Sequence, residues 1–133
     1  MSQEDVEVVR SLFAAWGRGG LDAAAEVWHP QIDWRAAEGA LDDVGEIRGR
    51  EAMRAYLQDW LEEFDEFGVE IEEVIDAGQN VVAVQRISGR AKGSGVPTDL
   101  RFAVVYTIRD GKIGRGREYW TKDEALEAAS RSE

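Results

Sequence analysis

The sequence predicts an α+β fold in which helices cover one face of an antiparallel sheet. Three observations point there. Apolar residues recur at spacings of three and four through much of the first half of the chain, and at spacings of two through the second half. Short turn signals separate the period-two runs. At 133 residues, with no linker, repeat or low-complexity stretch, the chain reads as one domain, 1–133.

From Glu4 to Trp16, Val6, Val9, Leu12 (or Phe13) and Trp16 share a stripe, which is an amphipathic helix. Gly17, Gly19 and Gly20 are expected to end it. Leu21 to Trp28 reads as a second short helix, with Asp22 near its start and Pro30 just past its end. Gln31 to Ala36 suggests a first strand, and Ala37 to Gly49 a polar loop that should be mobile and border a pocket mouth. Arg50 to Phe64 is a third helix, carrying Met53, Leu57, Trp60, Leu61 and Phe64 on its apolar face. Val69 to Ile75 alternates Val and Ile with Glu, as a half-exposed strand does. Hairpin turns follow at Ala77-Gly78-Gln79-Asn80 and at Asp110-Gly111, with a loop between them at Gly93 to Pro97. From Val81 to Ala128 the chain reads as three long strands closed by a short helix. The implied order is ααβαβββ plus a terminal helix.

Composition excludes several function classes. The formal charge of −11 disfavours nucleic acid and anionic membranes, because phosphate binding needs a basic surface. No run reaches the ~18 apolar residues of a membrane span, and the acidic start MSQEDVEVV does not read as a signal peptide. There is no cysteine, so disulfides and thiolate chemistry are out, and the cytoplasm is the expected compartment. One histidine, His29, and no convergent acid cluster leave no candidate metal site. Charge is also segregated. Ala55 to Gln85 contains acids and no Lys or Arg, while Arg86 to Lys122 is rich in Arg and Lys. Acidic elements lying beside basic strands and exchanging surface pairs account for this.

The candidate site comes from alternation. Arg86 falls in step with Val82 and Val84, and Glu118 with Gly116 and Trp120, so both charges should point where apolar neighbours point. Opposite charges aimed into one interior need each other. The expectation is a hydrogen-bonded Arg86–Glu118 pair on a pocket wall, with Ser88 beside it. Glu118 is then either a general base or acid oriented by Arg86, or half of a structural ion pair that fixes register. Asp33 and Arg35 share a face of the first strand and Trp34 takes the other; either face can be the inner one. If theirs is inner, Asp33 is a further acid–base candidate and Arg35 a ligand contact. Trp16, Tyr56 and Trp120 are the aromatic candidates for lining such a pocket, although aromatic stripes at these spacings are more often plain core. Gly114 and Gly116 are expected to let the last strand bend or to leave volume in the pocket.

The segments VVRSLFAAWGRGGLDAAAEVWHPQIDW, IRGREAMRAYL and IRDGKIGRGREYWTKDEAL, in that order and spacing, resemble the nuclear-transport-factor-2-like superfamily and, within it, the SnoaL-like domains. The resemblance implies a cone-shaped, curled sheet wrapped around three helices from the N-terminal half, with a deep pocket and a homodimer joined through the outer sheet face. Ala103, Val105 and Thr107 are the residues expected on that outer face. Ketosteroid isomerases of this superfamily are a poor match: their first-helix tyrosine falls on Leu12, and the strand Leu100 to Ile108 holds no acid. Limonene-type epoxide hydrolases are closer at QRIS and GREYW, which supply Arg86 and Glu118, but Ser88 stands at their first acid position and Asp33 and Arg35 at their water-holding pair. The functional expectation is a pocket for a small apolar molecule. It is either a cofactor-independent acid–base enzyme of isomerase, cyclase or hydrolase type, or a non-catalytic ligand-binding or protein-binding dimeric module.

Overall fold

The computed structural model describes residues 2–37 and 45–131, and it gives the expected α+β architecture. Helix α1 (Ser2–Ala25) buries Val9, Leu12 and Ala15. Gly17 and Gly19 remain inside it, and only Gly20, at φ 65° and ψ −146°, breaks the helical path. The two helices expected here are therefore present and meet at Gly20, a residue that tolerates positive φ.

Strand β1 (Trp28–Arg35) starts three residues before the expected Gln31. Pro30 lies where the pairing of β1 slips, between Trp28 and Asp33, so its missing N–H breaks no ladder bond. Of the expected loop Ala37–Gly49, residues 38–44 lie outside the described residues, and so do its expected mobility and its place at a mouth. Its end holds a short strand instead, β2 (Glu46–Arg48), paired with β1. Helix α2 (Arg50–Glu63) follows Gly49, whose φ of 92° suits glycine.

The remaining strands are β3 (Phe64–Ala77), β4 (Asn80–Ala91), β5 (Pro97–Arg109) and β6 (Lys112–Tyr119), followed by α3 (Lys122–Arg131). Strand β3 is twice as long as alternation suggested, because two register shifts, between Asp65 and Gly68 and between Ile71 and Glu73, interrupt its period. The six strands run β2-β1-β6-β5-β4-β3. All neighbours are antiparallel except β1 and β6, which are parallel and join the two ends of the chain.

The sheet sorts its side chains onto two faces. Val81, Ala83, Val104 and Tyr106 pack with Val9, Leu12 and Met53 of the helices, forming the main core on the inner face. Val82, Ala103 and Val105 point the other way and pack against Ala125 and Ala129 of α3. This corrects the surface proposed for a dimer. Ala103 and Val105 are covered by the chain's own last helix, and Thr107 Oγ1 donates to Asn80 Oδ1 at 2.8 Å. The charge segregation resolves as surface pairing: Arg101 bonds Glu72 at 2.5 and 3.1 Å, and Lys122 bonds Glu73 at 3.1 Å.

Candidate functional site

Between α1, α2 and the inner sheet face lies a cavity of about 310 Å³. Helix α1 contributes Leu12, Phe13 and Trp16, and α2 contributes Met53, Tyr56, Leu57 and Trp60. The sheet adds Trp28 and Trp34 from β1, Gln85 and Ile87 from β4, Leu100, Phe102 and Tyr106 from β5, and Glu118 from β6. An aromatic group closes one side, where Trp60 stacks on Phe64 with centroids 5.3 Å apart and Trp16 meets Phe67 edge-on at 6.3 Å. Leu100 and Trp120 line the cavity and are 40% and 45% exposed, so they mark its rim.

Among the described residues, Glu118 is the carboxylic acid of this wall. The indole Nε1–H of Trp34 donates to its Oε2 at 2.9 Å, and the Ala37 N–H to its Oε1 at 3.3 Å. Both donors are groups that only donate, so both oxygens act as acceptors, as in an ionised carboxylate. Trp34 is aimed inward by the alternation of β1, which also turns Ile32 inward and buries both. Its ring fits because Gly116 stands opposite on β6; a Cβ there would lie 2.1 Å from Trp34 Cζ3. Gly116 is expected to let the strand bend or to leave volume in the pocket; the space it leaves is taken by the Trp34 indole instead.

Beside Glu118, Tyr106 is 1% exposed and meets Trp34 edge-on at 5.8 Å. Its hydroxyl donates to Gln85 Oε1 at 2.5 Å. Burial pushes the Tyr106 phenol far above its ordinary range, and the negative charge of Glu118 adds to the shift. The phenol is therefore neutral and a donor at any physiological pH.

The other expected site residues divide cleanly. Trp16, Tyr56 and Trp120 line the cavity. Arg86 does not, and the expected Arg86–Glu118 pair is not formed. Strand β4 turns Gln85 and Ile87 inward, which puts Arg86 and Ser88 on the outer face. There Arg86 grips Asp99 in a two-pronged contact at 2.8 and 2.6 Å. That contact raises the guanidinium's pKa and lowers the Asp99 carboxyl's. Asp33 also faces away from the cavity: its Oδ2 meets Arg117 Nη2 at 3.2 Å. The same Arg117 atom lies 3.3 Å from Glu46 Oε2. Arg35 is on that face too, its side chain 57% exposed and 3.9 Å from Glu46. The question left open on β1 is thereby settled for Trp34. In QRIS the apolar neighbours in step with Arg86 give the strand the opposite parity to the one observed, so Gln85 carries no sequence signal of its inward position.

Among the described residues no group of three or more His, Cys, Asp or Glu is placed to hold a metal ion. Among the same residues no helix is long and apolar enough to cross a membrane.

The model of the SnoaL-like domain family matches residues 9–115. An uncharacterized protein of Mycobacterium tuberculosis is 30% identical over 126 residues, covering 93% of this chain and 94% of its own length. Among solved structures, an NTF2-like protein of Burkholderia xenovorans LB400 is 31% identical, with a TM-score of 0.68 and 98% of each chain covered. A candidate SnoaL-like polyketide cyclase from Jannaschia sp. CCS1 is 25% identical, with a TM-score of 0.73, covering 96% of this chain and 92% of its own.

Proposed function

This chain belongs to the SnoaL-like domain family, and from that premise we propose that it takes a small, largely apolar molecule into the aromatic cavity and moves a proton on it with Glu118. The observation that carries this reading is the placement of one oriented carboxylate in an otherwise apolar, aromatic wall. Apolar surface binds the molecule, and the acid supplies the chemistry. Glu118 would accept a proton from one position of the bound molecule and return it to another, as an isomerase or cyclase requires, using side chains of the chain itself. The likeness to a candidate polyketide cyclase supports an aromatic or ring-forming substrate.

A carrier pocket without turnover is the second reading. It is favoured by the same two N–H donors, since each hydrogen bond to a carboxylate weakens it as a base. One experiment separates the two: incubate the protein with bicyclic aryl ketones in D2O, following binding by tryptophan fluorescence and carbon deuteration by NMR. Binding with catalysed exchange supports the enzyme, binding alone supports the carrier, and no binding defeats both.

We further propose a cytoplasmic homodimer. With Ala103 and Val105 covered by α3, its interface would use the outer face beyond that helix, where Arg86–Asp99 and Arg101–Glu72 offer charges of both signs to a second copy. Light scattering at micromolar concentration tests this, and a particle near the 14.8 kDa of one chain would defeat it.

A further inference from the structure

We propose that the cleft between the end of β1, β6 and α3 is a second ligand site, one that takes a small carboxylate or phosphate anion on Arg35, Arg117 and Tyr119. It lies on the outer face of the sheet, and it does not rest on the proton transfer proposed for Glu118.

The first support is the space and what lines it. The cleft holds about 480 Å³, and its walls carry Arg35, Arg117, Tyr119, Glu124, Glu127 and Arg131. Where the inner cavity is aromatic and apolar, this one is built from groups that hydrogen-bond, so its occupant is polar.

The second support is the balance of donors and acceptors. The acids of α3 are already engaged. Glu124 accepts from the Thr121 N–H at 3.2 Å while Thr121 Oγ1 accepts from the Glu124 N–H at 3.1 Å, a capping box that starts the helix. Glu127 accepts from Arg131 Nη1 at 2.5 Å. Donors, in contrast, are left over. Among the described residues Arg35 has one ion pair, with Glu46 Oε2 at 3.9 Å, which is beyond hydrogen-bond distance. Glu46 is taken up by Arg117 at 3.3 Å and by Arg48 at 3.1 Å. The Tyr119 hydroxyl has no hydrogen-bond partner among the described residues. Spare donors beside satisfied acids call for a ligand rich in acceptors.

The third support is local charge. The chain as a whole carries −11, which repels anions at long range. The outer positions of β2, β1 and β6 reverse that sign: Arg48, Arg35, Arg115 and Arg117 stand against Glu46 and Asp33. Arg35 and Arg117 are register partners on adjacent parallel strands. Their backbones are thus about 4.8 Å apart, and two guanidinium forks can close on one oxyanion. Glu46 shows the mode, since its carboxylate already gathers Arg48, Arg117 and Arg35 around it.

The test is a calorimetric titration at low ionic strength with sodium succinate and with sodium phosphate, against sodium chloride at matched ionic strength. Saturable binding is expected for at least one of the two anions; succinate alone assigns the ligand as a carboxylate, and phosphate alone as a phosphate. Arg35→Gln changes a mostly exposed side chain and should weaken this binding about tenfold. Tyr119→Phe should weaken it less, and Arg86→Gln, outside the cleft, should leave it unchanged. No saturable binding beyond that of chloride overturns the site. Binding that neither Arg35→Gln nor Tyr119→Phe weakens, or that Arg86→Gln weakens equally, means an adventitious ion only and overturns it as well. The inner cavity is followed separately by the aryl ketone titration, so loss of this site leaves that reading standing.

Discussion

The Trp34 indole donates a 2.9 Å hydrogen bond to Glu118 across 84 positions of sequence. It fixes one oxygen of the acid and leaves the ring to wall the cavity. Glu118→Gln keeps the shape and an acceptor oxygen for Trp34 but removes the base. Deuterium exchange into a bound carbon acid is expected to fall about 10²–10⁴-fold, with affinity for the neutral probe retained. Equal exchange rates in the two proteins would take Glu118 out of the mechanism.

Gly116 admits the Trp34 ring, and an added Cβ would sit 2.1 and 2.2 Å from two of its carbons. Because the neighbour is a rigid, buried ring, Gly116→Ala should cost about 1–3 kcal/mol of stability, read by urea denaturation. The near-UV circular dichroism should change with it. A variant as stable as the parent would mean that the indole has another place to go.

Arg86 lies outside the cavity, so Arg86→Gln should leave probe affinity and deuterium exchange as they are. Its contact with Asp99 is at the surface, where such pairs contribute little and are screened by salt. A binding defect in this variant, measured by the same fluorescence titration, would return Arg86 to the site.

Much of the fold was legible because helices and strands write their periods directly into the sequence. The face assignments were harder. On β4 the outer-face Val82 is as apolar as the inner Val81 and Ala83, because α3 covers this part of the outer face as the other helices cover the inner one. With both faces buried, alternation carries no parity, and Arg86 was assigned inward by its apolar neighbours. Glu118 was placed correctly because its neighbours in step, Gly116 and Trp120, both belong to the inner face. Strand β2 escaped notice because three residues are too few to show a period.

Tyr106 makes alkaline stability a readout of the site. Its folded pKa is raised, chiefly by burial and then by Glu118, whereas in the unfolded chain it titrates near 10. Its contribution is therefore complete below pH 10 and is lost as pH rises above it, by about 1.4 kcal/mol per pH unit. Urea midpoints should fall over this range in the native protein and fall less in Tyr106→Phe. In a tyrosinate absorbance titration, Tyr106 should ionise only as the protein unfolds. Ionisation with the fold intact would contradict the buried placement.

The parallel pairing of β1 with β6 has a consequence for how the molecule comes to exist. Hairpins β3–β4 and β4–β5 close over short stretches of chain, whereas Trp34 and Glu118 meet only when the two ends of the domain find each other. Contacts of such long sequence separation form slowly, because the intervening chain must be ordered first. On the ribosome, β1 therefore waits for β6, and a nascent chain that stops before β6 holds an aromatic half-shell without the Glu118 carboxylate.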